Sequence, residues 1–102
     1  MVQRIALVKL TPDQATPEGR AAVAERALEA LRPIPGVLAV TAGPPADEAS
    51  AKSWDVLIMT RFATLADADA YRDHPEHRRF VDEFVAPRAA MRKAWSFEVE
   101  TR

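Results

Sequence analysis

The chain has 102 residues, 48% of them hydrophobic and 28% charged, which is the size and balance of one globular domain and too short for two independent cores. Its 14 basic and 15 acidic residues leave a net charge of -1 with no long block of one sign, so there is no electrostatic footprint for nucleic acid or an anionic membrane. With no cysteine, disulfides, thiolate nucleophiles and thiolate metal sites are excluded, and no run of about 18 apolar residues exists to span a bilayer.

Taken in chain order, Met1-Val2-Gln3-Arg4-Ile5 lacks the basic-then-apolar pattern of a signal peptide, so a cytoplasmic location is expected. Val2 to Leu10 is a short apolar run closed by Thr11-Pro12-Asp13, and reads as a strand followed by a turn. Thr16-Pro17-Glu18 supplies an N-cap, a first-turn proline and an early acid. Val23, Ala27, Leu28 and Leu31 follow at helical spacing, which predicts a helix from about Pro17 to Leu31. Pro33 and Pro35-Gly36 end it, because proline lacks the donor a helix needs and pushes its predecessor out of helical geometry.

Val37 to Ala42 reads as a second strand, and the small, polar, proline-bearing stretch from Gly43 through Ser53 as a hairpin loop and the segment most suited to mobility. Trp54 to Phe62 is the strongest strand, with Trp54, Val56, Ile58 and Phe62 on one face and Leu57 and Met59 on the other. Thr64 and Asp67 resemble a capping box that opens a helix through Tyr71. Pro75 interrupts or restarts that helix, Phe80, Val81, Phe84 and Val85 continue its apolar stripe, and Pro87 ends it. Trp95, Phe97 and Val99 alternate with polar residues as a last strand.

The order is β-α-β-β-α-β, the split βαβ arrangement of an α+β, ferredoxin-like fold with an antiparallel sheet and both helices on one face. The first and third strands carry large apolar residues on both faces, yet a two-layer fold covers only one. The face holding Ile5, Leu7, Leu57 and Met59 is therefore expected to meet a second copy, making a homodimeric α/β barrel across a two-fold axis.

Chemistry-bearing residues concentrate in one place. The only tyrosine and the only two histidines lie within Tyr71-Arg72-Asp73-His74-Pro75-Glu76-His77. A helix restarting at Pro75 puts His74 at the N-cap and His77 in the first turn, where the positive end of the helix dipole disfavours an imidazolium. His77 is then neutral and able to accept a proton, provided the proline break folds Tyr71 towards it. On the plainer alternative, His74 caps the helix, His77 makes a structural hydrogen bond and Tyr71 packs its ring. Asp73, His74, Glu76 and His77 are ligand-type side chains, but two histidines with no third histidine or cysteine do not complete a common zinc set, and no metal is expected. Three serines and three glycines offer neither a serine triad nor a phosphate loop, and no cofactor is expected. Trp54 and Trp95 read as core or interface, and Arg61 as a solvated edge residue or an interface ion-pair donor.

Val8-Lys9-Leu10, Ile34-Pro35-Gly36-Val37, Phe62, Tyr71-x-x-His74-Pro75-x-His77, Phe80-Val81 and Phe97-Glu98 together resemble the stress-responsive A/B barrel, or Dabb, family across nearly the whole chain. The resemblance implies a ferredoxin-like dimer with a pocket between each sheet and its own helices. Most members have no assigned reaction, but a plant member is a polyketide cyclase that closes a ring by aldol condensation. Its catalytic tyrosine and second histidine correspond to Tyr71 and His77. Many members place a pocket-facing histidine early in the first strand, where this chain has Arg4, a permanent charge that can clamp a carboxylate or phosphate but cannot act as a base near neutral pH. Arg4, His74, Phe80 and Phe84 are expected to contact a small ligand, either apolar or acid-bearing. A non-catalytic binding or stress-associated dimer is the competing expectation, and cofactor-free oxygenation, as in monooxygenases of this fold, is a third.

Overall fold

A computed structural model describes residues 1–102. Strand β1 (Val2–Leu10) leads into helix α1 (Pro17–Leu31), whose N-cap Thr16 accepts from the Gly19 amide at 3.0 Å, as the Thr-Pro-Glu signal predicts. The turn after it uses Gly36 at φ +88°, a left-handed conformation that a side chain would strain. Strand β2 (Ala39–Gly43) follows, two residues later than the apolar run from Val37.

The 43–53 stretch departs from the expected plain loop. Asp47 accepts from the Ser50 amide at 2.8 Å and caps a one-turn helix, α2 (Glu48–Ala51), which is too short to show apolar periodicity. Strand β3 (Val56–Phe62) starts two residues after Trp54, which lies outside the ladder. Thr64 caps α3 (Leu65–Asp73) by accepting from the Asp67 amide at 3.2 Å, and α4 (Pro75–Arg79) restarts at the proline. The chain then widens into a π-helical stretch, Phe80–Val85, and ends in a single tight turn at Ala86–Arg88 around Pro87.

Strand β4 spans Ala89–Glu98 and begins six residues before the alternation at Trp95. Arg92 and Lys93 obscure the strand pattern, yet the backbone pairs with β1 from Val2 opposite Glu98 to Leu10 opposite Ala89, with one irregularity at Lys9/Leu10. The sheet order is β2-β3-β1-β4, with every neighbouring pair antiparallel. Val2, Val8 and Leu10 of β1 and Val56, Ile58 and Phe62 of β3 are buried with Val23, Ala27 and Leu31 of α1, so the core lies between the sheet and its helices.

An ion pair absent from the sequence reading anchors this layer. Asp55, 2% exposed, accepts from the Leu10 amide at 2.7 Å through one oxygen and from Arg20 Nε and Nη2 at 3.0 and 2.9 Å through the other. It ties the start of β3 to the end of β1 and the first turns of α1. No helix is long and apolar enough to cross a membrane.

Candidate functional site

The proline break builds the site. In an unbroken helix the Arg72 carbonyl would accept from the Glu76 amide, four residues on. Pro75 forces His74 into an extended conformation (φ -66°, ψ 138°), and the Glu76 amide donates instead to His74 Nδ1 at 3.1 Å. The freed Arg72 carbonyl is taken by His77 Nδ1 at 2.9 Å. A carbonyl can only accept, so Nδ1 carries the proton and the neutral ring keeps its Nε2 lone pair free.

The same break brings His77 against Tyr71, with ring centroids 4.4 Å apart, and Tyr71 in turn packs on Phe62 at 5.0 Å. Tyr71 is only 3% exposed, and burial pushes its phenol up to about 12, against the opposing influence of the Thr60 side chain and the Arg4 charge. It is therefore a proton-bearing hydrogen-bond donor at neutral pH. Burial lowers the His77 imidazole below its ordinary value, opposed by the bond to the Arg72 carbonyl and reinforced by the charges of Arg4, Arg78 and Arg92. The helix dipole considered from sequence is thus joined by two further causes, desolvation first and then the surrounding guanidinium groups.

These side chains open onto a cavity of about 390 Å³, at the small end of the usual ligand-pocket range of about 300–1,000 Å³. Its floor is the helix-facing side of the sheet, including Arg4, Ala6, Ile58 and Thr60, and its wall comes from Leu31, Tyr71, His77, Phe80, Val81 and Val85. Four of the six expected contacts, Arg4, Tyr71, His77 and Phe80, lie at this cavity; His74 and Phe84 do not. His74 is spent on the α4 cap. Phe84 instead stacks on Phe80, with ring centroids 6.2 Å apart, and lines a separate groove beside α1, with Arg88 3.8 Å and Arg26 4.9 Å from its ring centroid.

Sequence reasoning missed Thr60, buried beside Tyr71, and the cavity-lining cations Arg78 and Arg92. Period-two counting from Val56 through Ile58 to Phe62 would have placed Thr60 on the inner face. Arg92 becomes legible only once β4 is extended back past Trp95. Asp73, His74, Glu76 and His77 do not gather into a group of three ligand-type side chains.

A four-stranded antiparallel sheet carrying its helices on one side, with an amphipathic cavity between the layers, defines a ferredoxin-like α+β protein. More narrowly, the sequence model of the stress responsive A/B barrel domain matches residues 2–99, and the chain belongs to that Dabb family. Among solved structures it is similar to a dimeric ferredoxin-like protein of unknown function from Thermobifida fusca, at 27% identity and TM-score 0.76, covering 96% of this chain and 90% of that one. A Dabb family protein from Mesorhizobium loti shares 18% identity with TM-score 0.78, over 98% and 97% of the two chains. An antibiotic biosynthesis monooxygenase shares 14% identity with TM-score 0.72, over 99% and 100%, a likeness that shows the fold alone. No curated protein matches the chain.

Proposed function

We propose that this protein is a single-domain homodimer that binds a small organic molecule in the sheet-helix cavity and carries out cofactor-free acid-base chemistry on it, of the aldol-cyclisation or keto-isomerisation type. One observation carries the reading: His77 Nε2 is left free as a base beside a phenol that stays protonated. His77 removes a proton from carbon next to a carbonyl, and Tyr71 donates a hydrogen bond to the oxygen as it becomes an enolate. In a cyclisation the enolate carbon then attacks a second carbonyl of the same molecule. The imidazolium returns its proton to the new alkoxide, so atoms and charge balance.

The test is hydrogen exchange at carbon. In D2O the protein should replace the acidic C–H hydrogens of 4-oxo-octanoate or 2-octanone with deuterium faster than buffer does. The rate should rise with pH through an apparent pKa below about 6.5, since only neutral His77 accepts a proton and burial favours that form. No exchange above buffer with either compound would leave a binding protein without this chemistry.

Pairing is supported by the outer face of the sheet. Ile5, Leu7, Leu57 and Met59 share that face with Met91, Trp95 and Phe97, of which the last three are 50%, 44% and 50% exposed. Arg61 lies there too, opposite Gln3, with its Nε buried and without a hydrogen-bond partner within the chain. Fully burying a large apolar side chain contributes about 1.5–3 kcal/mol, so several from each copy outweigh the loss of free motion on association. Light scattering at micromolar concentration should return twice the 11.3 kDa chain mass, and a stable monomer would overturn the pairing.

A further inference from the structure

The proposed pocket has a one-sided charge. Arg4, Arg78 and Arg92 line it, and no aspartate or glutamate does; Lys93 borders it but stands opposite Leu7, with its side chain on the outer face of the sheet. Arg4 is the central member. It rises from the first half of β1, opposite Thr60 on one side and Ser96 on the other, is partly buried, and hydrogen-bonds Ser96 Oγ at 3.3 Å. No carboxylate forms a salt bridge with Arg4 or Arg92. Asp69 acts on Arg4 only through space, whereas Arg78 has an exposed ion-pair partner in Asp82 at 4.0 Å. A guanidinium drawn partly out of water beside apolar side chains, with one hydroxyl as its partner, is short of acceptors.

The rest of the cavity is apolar. Ala6, Ile58, Leu31, Phe80, Val81 and Val85 offer carbon surface next to the Arg4 row of the sheet. Resting on the reading of this cavity as a ligand site, we propose that it takes an apolar molecule bearing a carboxylate, with the acid group held by Arg4 and the carbon body laid against the α1 and π-helical wall. Arg78 and Arg92 add positive potential that draws in an anion and disfavours a cation. A carboxylate matches the planar fork of one arginine in two parallel hydrogen bonds, and the cavity has no glycine-rich loop to cradle a phosphate. The acid head also fixes which carbon faces His77, which makes Arg4 a specificity-determining residue.

Calorimetric titration of the intact protein with octanoate, octanamide and octyl phosphate tests this. Octanoate should bind at least about tenfold tighter than its neutral amide, the gain expected of a charge-assisted pair. Raising ionic strength from about 0.05 M to about 0.5 M should weaken octanoate and leave octanamide unchanged. Arg4→Gln should cost octanoate about tenfold without affecting octanamide, and Arg4→Lys, which keeps the charge but loses the fork, should recover part of it. Equal affinity for octanoate and octanamide would overturn the acid selection while leaving the cavity as an apolar binding site. Octyl phosphate binding tenfold tighter than octanoate would overturn the carboxylate assignment, and binding of none of the three at millimolar concentration would overturn the pocket reading as well.

Discussion

His77→Ala is expected to lower the carbon hydrogen-exchange rate by about 10²- to 10⁴-fold while leaving the fold intact, and Tyr71→Phe to lower it less. The ring of His77 is only half-buried and its one hydrogen bond is to a carbonyl at a helix end, so its removal costs little packing. Its Nε2 is nevertheless the only uncommitted neutral base at the cavity: Tyr71 is held protonated, and the remaining polar side chains there are cations and one threonine. Tyr71→Phe keeps the ring that packs between Phe62 and His77 and deletes only the hydroxyl, which isolates the donor to the enolate oxygen. Exchange rates per folded molecule, with thermal melting run in parallel, separate chemistry from scaffold. If both variants melt earlier yet exchange at the parent rate, these two side chains are structural and the protein is a binding module.

The parts of this site that were legible from sequence are those set by short-range rules. A threonine before a proline and an acid predicts the start of α1 to the residue, and Pro75 after a histidine predicts both the break and the His74 cap. What the break does next depends on bookkeeping of backbone donors that sequence does not display. Only the structure shows that the Glu76 amide turns to His74 and thereby frees the Arg72 carbonyl for His77. The cationic lining was hidden for a different reason. Strand β4 is an edge strand, exposed along nearly all its length, so its first half carries Arg92 and Lys93 without the alternation by which half-buried strands are recognised. Phe84 keeps step with Phe80, its ring stacked 6.2 Å away, but lies on the far side of it from the cavity, against Arg26 and Arg88, a direction that helical spacing alone does not give.

A large loss of stability from a polar substitution is expected at Asp55, far in sequence from the motif. Asp55→Ala should cost about 3 kcal/mol, read as a lower urea midpoint with an unchanged slope at a fixed chain concentration. Two contributions add: the charge-assisted bonds from both Arg20 nitrogens are lost, and the buried Leu10 amide loses its acceptor. The cost falls at the low end of the range for broken buried pairs because the Arg20 side chain is 21% exposed and can recover water. Arg20→Met instead strands a carboxylate whose side chain is 3% exposed, so it should be destabilising too, and combining the two changes should cost less than their sum. A loss below about 1 kcal/mol for Asp55→Ala would show that β1, β3 and α1 hold their positions by apolar packing alone. Asp55 does not line the cavity, and Arg20 does not either. Asp55→Ala should therefore keep the parent exchange rate per folded molecule, the reverse of the His77→Ala result, because one pair of side chains holds the layers together and the other faces the ligand.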